Sequence, residues 1–314
     1  MPTMGLATPM THTRVFQHLW FWHGTALPHA TRWIAFAAVV FTSLLPVWAE
    51  ESPTRNRHQW GRFRTGAWKR VRIETETLDE KGNISNLSTT ETVTTLTEVG
   101  DDYYTLRVEV KVDVGGKKFS AQPQFIRHGY YGESQGQKVA IKKVGEGTYS
   151  VNGVSFPSTL EEVVIVGENS KRVMTIERSE KTPLFALKRD CKATDAEGKL
   201  VQYTTSVEAL ALNMPQMVLA EIQDASFVKT VHKQGKNTVV TVEVDCPAVP
   251  GGVVSHSLRE EDEMGRVIRR STLELLDYGT GDGTGPDSAA GRRRIFHRNR
   301  TRTSNLPESD DDSE

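Results

Sequence analysis

A serine between two glycines is the sharpest candidate for chemistry in this chain. The run Gly-Glu-Ser-Gln-Gly at residues 132–136 satisfies the G-x-S-x-G pattern, in which a hydrolase holds its nucleophile on a tight turn between a strand and a helix. The residues that follow, 137–144, read as a strand, and no alternation of strands and helices surrounds them. The pattern therefore favours a loop at Ser134, and an exported serine hydrolase is the least favoured of three functions.

Three histidines on strand-like segments could act as bases: His128, His232 and His256. None has metal-ligand spacing or a neighbouring pair of carboxylates, and an isolated histidine on a strand is usually structural or solvent-exposed. The sequence has no phosphate-binding loop, dinucleotide fingerprint or H-E-x-x-H motif. We therefore expect no catalytic residue, no metal and no cofactor.

Two cysteines, Cys191 and Cys246, both lie in strand-like segments. They form either one disulfide or two buried thiols. A bridge is the preferred alternative because an oxidising compartment permits it, provided that the fold brings the two Cβ atoms within roughly 4.5 Å. The absence of a CxxC motif excludes a redox dithiol or a zinc knuckle.

The N-terminal residues 1–49 have the features of a secretory signal peptide. Arg32 precedes an apolar run at residues 34–45, and Pro46 leads to a small residue at the expected cleavage site between Ala49 and Glu50. An uncleaved anchor is the alternative, but about 15 apolar residues fall short of the roughly 20 that span a bilayer. We predict a secreted, periplasmic or cell-envelope protein that meets the membrane only through this leader.

The net charge of the mature chain limits the kind of partner that it can bind. Cleavage of the leader takes two of the 39 basic residues and none of the 40 acidic ones, which leaves a net charge of about −3. A nucleic-acid groove needs a clear excess of lysine and arginine. The sequence therefore predicts no nucleic-acid partner.

Strict alternation of apolar and polar residues is the strongest structural signal. From Tyr104 to Val114, aliphatic residues occupy every second position, and charged residues or threonine occupy the others. This pattern is typical of a strand with one dry and one wet face. Because parallel sheets are covered by helices on both faces, repeated strands of this kind indicate an antiparallel sheet.

Turn signals separate these strands. Residues 79–84, 195–200 and 262–267 share the pattern Asp-x-x-Gly-x-aliphatic, which predicts a hairpin with glycine at positive φ. One short helix is predicted at residues 158–166, where Ser158 and Glu161 resemble a capping box. The valine-rich run at 163–166 is β-prone and weakens this prediction.

The composition changes after Tyr278. Residues 279–285 are rich in glycine and threonine, six arginines fall between Arg292 and Arg302, and five acids lie within residues 308–314. We expect residues 279–314 to be a disordered charged tail, because they cannot bury enough apolar surface to offset chain entropy.

The sequence thus predicts a signal peptide at 1–49, a linker at 50–59, an antiparallel β domain at 60–278 and a tail at 279–314. The fold class is mainly β, a curved antiparallel meander that is half-barrel or barrel-like with one short helical insert. In this layout the chain resembles the half-barrel carriers of the bacterial lipoprotein-localisation system and related envelope proteins. The resemblance is architectural and transfers no binding residue.

Two non-enzymatic functions follow from this fold. The first is an exported protein that binds a lipid, a lipidated protein or another hydrophobic partner on a concave apolar face. Valines of two strands would line that face, unless they are simply packed core: Val108, Val110, Val112, Val240 and Val242. The alternative is a structural or interaction module that acts through its surface and its arginine-rich tail.

Overall fold

The computed structural model describes residues 53–281, of which strands hold 68% and helix 2%. The predicted fold class, a mainly β protein built on a curved antiparallel sheet, is confirmed. One short helix, α1 (Pro53–Arg57), precedes fourteen strands. The strands are β1 (Ala67–Leu78), β2 (Ile84–Val99), β3 (Tyr103–Val114), β4 (Lys117–Ser120), β5 (Gln124–Gly129), β6 (Lys138–Val151), β7 (Val154–Val166), β8 (Lys171–Arg178), β9 (Lys188–Thr194), β10 (Val201–Val218), β11 (Glu221–Gln234), β12 (Asn237–Asp245), β13 (Val253–Glu261) and β14 (Val267–Thr280).

All fourteen strands belong to one sheet with the order β4-β3-β2-β1-β14-β13-β12-β11-β10-β9-β8-β7-β6, and β5 lies beside β4 on the outer edge of β3. Strands β6 to β14 form one continuous meander. The pairing of β1 with β14 joins this meander to β1, β2 and β3. Over the described residues the sheet does not close into a barrel, because β5 and β6 follow each other in the chain without pairing.

The alternation in β3 sets the two faces of the sheet as expected. Tyr104, Leu106 and Val108 are buried, and we call their side of the sheet the inner face. Directly paired residues share a face, so Thr94, the partner of Val108, lies there too.

One part of the predicted lining is wrong. Val242 is 39% exposed, whereas its neighbour Thr241 is buried. Alternation along β12 therefore puts both Val240 and Val242 on the outer face, so neither lines the inner face as predicted. Their neighbours in register on β13 are Arg259 and Ser257.

The three predicted Asp-x-x-Gly hairpins are confirmed. Gly82, Gly198 and Gly265 all have positive φ, between 75° and 81°. In the last of these turns the N–H groups of Met264 and Arg266 donate to Asp262 Oδ1 at 2.9 and 3.0 Å. The aspartate therefore satisfies backbone donors that would otherwise be left to water, which is the role its type predicts.

The predicted helix at residues 158–166 is wrong, because these residues lie within β7. The β-branched run at 163–166 pairs with β8 on one side and β6 on the other. Two ladders of backbone hydrogen bonds and burial of Val163 and Ile165 outweigh the capping signal of Ser158 and Glu161.

The helix that does form begins a segment that we call the plug, residues 53–66. The plug packs on the inner face: the His58 ring lies 4.8 Å from the Tyr104 ring, and Trp60 is 7% exposed. Arg62 Nη2 donates to Pro183 O at 3.3 Å, and the N–H of Gly251 donates to Gln59 O at 3.0 Å. Part of the segment assigned to a linker at 50–59 thus connects distant parts of the curved sheet.

The predicted cleavage site at Ala49 and Glu50, and the tail from residue 282 onward, lie outside the described residues. Within residues 53–281, no helix is long and apolar enough to cross a bilayer.

Replacement of Gly265 tests the role of the hairpin glycines. Gly265→Ala should lower the free energy of unfolding by about 1–2 kcal/mol, because an L-residue is strained in the left-handed region. Gly145→Ala is the matched control, since that glycine lies outside the positive-φ set and has open space for a methyl group. Urea unfolding of both variants measures the difference, and equal losses would contradict this account of the turn.

Candidate functional site

A pocket lies where the sheet is open, between the edges of β5 and β6. We call it the seam pocket. It has a volume of about 560 Å³, and both edge strands and the loop at 130–137 line it. Its further lining comes from Thr54 of the plug and from the β2–β3 turn at residues 101–103. A volume in this range suits a small molecule or a few residues of a peptide.

One wall of the seam pocket is a stacked pair of side chains. The guanidinium of Arg127 lies over the Tyr103 ring, 3.5 Å from its centroid. Tyr103 Oη donates to Glu98 Oε1 at 2.7 Å, and this hydrogen bond raises the pKa of Tyr103. The stack and the hydrogen bond together fix the orientation of the Tyr103 ring and of the Arg127 guanidinium.

Two tyrosines join the pocket to the plug. The ring of Tyr130 stacks on that of Tyr104 with centroids 5.8 Å apart, and His58 of the plug contacts both rings. Tyr130 Oη donates to Gly100 O at 2.6 Å, which ties the loop to the β2–β3 turn. Burial raises the pKa of Tyr130 to about 12, so it is a neutral hydrogen-bonding group at any physiological pH.

Glu133 is the acidic group set deepest in the loop. Its carboxylate lies against Gly129 so closely that a Cβ there would be 1.9 Å from it. The N–H of Tyr131 donates to Glu133 Oε2 at 3.0 Å, and burial raises the pKa of Glu133. A carboxylate held in this way gains from a cation, because the cation offsets the cost of its desolvation.

The charges that line the seam pocket are unbalanced. Asp101, Asp102 and Glu133 contribute three carboxylates, whereas Arg127 is the one arginine or lysine among the lining residues. Just outside the lining, Arg55 Nη1 of the plug lies 3.7 Å from Asp101 Oδ1, and the charge of Arg172 acts on Glu133. Within the lining itself, the excess of carboxylates favours a positively charged ligand.

The serine motif of residues 132–136 forms part of the same loop. Gly132 and Gly136 have φ values of 80° and 87°, and the N–H of Ser134 donates to Gln137 Oε1 at 2.9 Å. Arg172 Nη2 fixes the loop from below by donating to Gly132 O at 3.0 Å. Strand β6 follows, as the sequence predicts, so the strand–turn–helix geometry of a nucleophile elbow does not occur at Ser134.

The three candidate histidines lie in three different places. His128 is buried in β5 and lines the seam pocket. His232 is buried in β11, where its Nδ1 is 2.8 Å from Thr205 Oγ1. His256, on β13, pairs in register with Glu243.

A second polar site lies on the inner face beside the plug, and we call it the inner charged cluster. It consists of Lys69, Glu243, Asp245 and His256. Asp245 is 3% exposed and accepts a hydrogen bond from Gln59 of the plug. Lys69 Nζ donates to Gly251 O at 3.2 Å. The cluster therefore ties the plug to the turn between β12 and β13.

Burial shifts the titration of all four groups. It raises the pKa of Glu243 to about 7 and that of Asp245 to about 6, and it lowers the pKa of Lys69 to about 8 and that of His256 to about 4. In each case removal from water disfavours the charged form. The residues described by the structure contain no group of three potential ligands placed to hold a metal ion.

The structure does not bring the two cysteines together. Cys191 packs in a cluster with Met174 and Ile176, whereas Cys246 packs with Val71 and Val244 in another, and both thiols are free. The preferred disulfide is therefore not formed, and the alternative of two buried thiols describes the structure. Burial raises the pKa of both thiols, which keeps them protonated and poorly reactive.

The residues of the seam pocket were not identified from the sequence as a binding site. Their one visible signal is the pair of tyrosines at 130 and 131 followed closely by Glu133. These residues line a pocket only because the fold leaves β5 and β6 unpaired on either side of the loop.

The sequence matches no described protein family and no curated protein. A predicted lipoprotein from Parabacteroides distasonis is 11% identical over 71% of this chain and 98% of its own, with a TM-score of 0.29. A predicted exported protein with a YmcC-like fold from Bacteroides fragilis is 8% identical over 69% and 97%, with a TM-score of 0.25. A mutant porin from Rh. blastica is 8% identical over 68% and 100%, with a TM-score of 0.27. Scores this low carry no argument about function, which must come from the geometry of this chain.

The inner charged cluster predicts a specific dependence of stability on pH. Because the pKa of Glu243 is higher in the folded chain than in the unfolded one, the native state binds an extra proton between about pH 4.5 and 7. Through this carboxyl, the free energy of unfolding therefore falls by about 2–3 kcal/mol as the pH rises through that window. Glu243→Gln should abolish this loss. The free energy of unfolding of the variant should therefore increase relative to that of the wild type as the pH rises.

Urea unfolding at pH 5 and pH 7.5 measures this effect. Glu197→Gln is the control, because Glu197 lies in an exposed turn, and its curve should run parallel to that of the wild type. A difference between Glu243→Gln and the wild type that does not change with pH would contradict the account.

Proposed function

We propose that this protein is an exported, non-enzymatic binding protein and that its seam pocket takes a cationic segment of a polypeptide. The observation that carries the proposal is the excess of carboxylates in a pocket between two unpaired strand edges. Export depends on the leader predicted at residues 1–49, and the lack of catalysis stays a prediction.

The open edges support a polypeptide as the ligand. An unpaired edge presents backbone N–H and C=O groups that an extended chain can meet, and such addition of a strand is a common mode of peptide recognition. Phe125 on β5 is 68% exposed and Ile141 on β6 is 51% exposed. These side chains offer apolar contacts beside the acidic centre of the pocket.

The charges support a basic side chain as the anchor. Glu133 is partly buried, so an arriving guanidinium or ammonium would offset the cost of its desolvation and form a charge-assisted hydrogen bond. Asp101 and Asp102 are exposed at the rim, where Arg55 pairs with Asp101 across 3.7 Å. Arginine suits this site better than lysine because its planar fork can meet two acceptors at once.

A lipid or another hydrophobic partner on the inner face is the weaker proposal. An acyl chain needs a continuous apolar lining, but the buried apolar residues that the structure describes group into four separate clusters. Thr90, Thr92 and Thr94 form a polar row on the same face, and the inner charged cluster lies beside them. The plug also occupies one end of that face.

Binding of a labelled hexa-arginine peptide to the full chain tests the proposal. At low salt we expect saturable binding that Glu133→Gln weakens about fivefold or more, which corresponds to ~1 kcal/mol. Binding should also weaken on acidification, and at a higher pH than for an ordinary glutamate, because the pKa of Glu133 is raised. Fluorescence anisotropy measures both effects.

The matched control is Glu197→Gln, which removes the same charge from the exposed turn between β9 and β10. It should bind the peptide as the wild type does. Equal affinities for the wild type and Glu133→Gln would count against the seam pocket as the site.

A further inference from the structure

The arginines of this chain's own tail have the chemistry that the seam pocket selects. Six arginines lie between Arg292 and Arg302, and five acids follow within residues 308–314. The pocket lining carries three carboxylates and a single arginine. The positive run and the acidic pocket are therefore complementary in charge.

The tail leaves the sheet near the pocket. Thr280, the last residue of β14, pairs with Ala67 at the start of β1. On the other side of this start, the N–H of Gly66 donates to Leu96 O at 2.8 Å, close to the end of β2. The β2–β3 turn that follows supplies Asp101 and Asp102 to the pocket rim.

The segment between β14 and the arginine run is long enough to reach the seam pocket. Three strand spacings separate β14 from β3, which is roughly 15 Å across the sheet. Arg292 follows Gly281 by eleven residue-to-residue steps, which can span at most about 36–40 Å. The arginine run can therefore meet the pocket of the same molecule without any change in the sheet.

We propose that residues 292–302 dock in the seam pocket of their own chain and compete there with an external cationic partner. This inference rests on the proposed function, because it names the resident competitor of the same site. The acidic residues at 308–314 weaken this contact, since they attract the same arginines. The balance between the two ends of the tail then sets how available the pocket is to a partner.

Linkage in one chain gives the competitor an advantage over a free peptide. A connection of about this length supplies an effective concentration on the order of 1 mM. If the arginine run binds with a dissociation constant near 100 µM, the apparent affinity for an external peptide falls about tenfold. The effect is large enough to measure.

The test compares the wild type with a full-length variant in which all six tail arginines are replaced by glutamine. Labelled hexa-arginine is titrated against both proteins at low salt. We expect the variant to bind the peptide about tenfold more tightly than the wild type. This difference should disappear at high salt, where binding to both proteins is weakened by screening.

A second full-length variant should change the affinity for hexa-arginine in the opposite direction. Replacement of Glu308, Asp310, Asp311, Asp312 and Glu314 by their amides frees the arginines from their internal partners. This variant should bind hexa-arginine more weakly than the wild type, because the arginines then occupy the pocket more fully, and an affinity equal to or higher than that of the wild type would overturn the role of the acids.

The outcomes separate the two proposals. If the glutamine variant binds the peptide with the same affinity as the wild type, or less tightly, the docked tail is overturned while the pocket keeps its function. If neither protein binds the peptide, the proposed function itself fails. A difference that disappears on dilution of the protein would mean that the tail reaches a second copy, and it would overturn docking within one chain.

Discussion

The pairing of β1 with β14 is the constraint on which the rest of the structure depends. It joins residues about 200 positions apart and links a block of five strands, β1 to β5, to a nine-strand meander. Because hydrogen bonds run from each strand to the next, this one pairing determines where the sheet can end. The sheet ends at β4 and β5 on one side and at β6 on the other, and the loop at 130–137 connects β5 to β6.

The plug supports the inner face in two places, beside the seam pocket and beside the inner charged cluster. The plug contacts Tyr104 and Tyr130 beside the seam pocket, and it also reaches Asp245 through Gln59. Buried charge is costly unless it is partnered. The inner charged cluster therefore stabilises the plug position at the same time as it makes stability sensitive to pH, whereas the seam pocket keeps its carboxylates near solvent and available to a ligand.

The sequence predicts the local structure better than the long-range structure. Alternation identifies β3 and its inner face, and the Asp-x-x-Gly turns are correctly located because both signals arise from neighbouring residues. The β1–β14 pairing has no local signal, and the plug has no hydrophobic periodicity of its own. The exposure of Val242 and the seam pocket follow from these long-range features, so neither could be inferred from composition or spacing alone.

Amide hydrogen exchange along β6 tests the open seam most directly. If the sheet ends there, the β6 amides that point away from β7 have no backbone partner, so they should exchange much faster than the alternate amides bonded to β7. Strand β12, which is paired on both sides, should show no such alternation. Equal protection of both sets of β6 amides would mean that β5 and β6 are joined, and it would contradict the account.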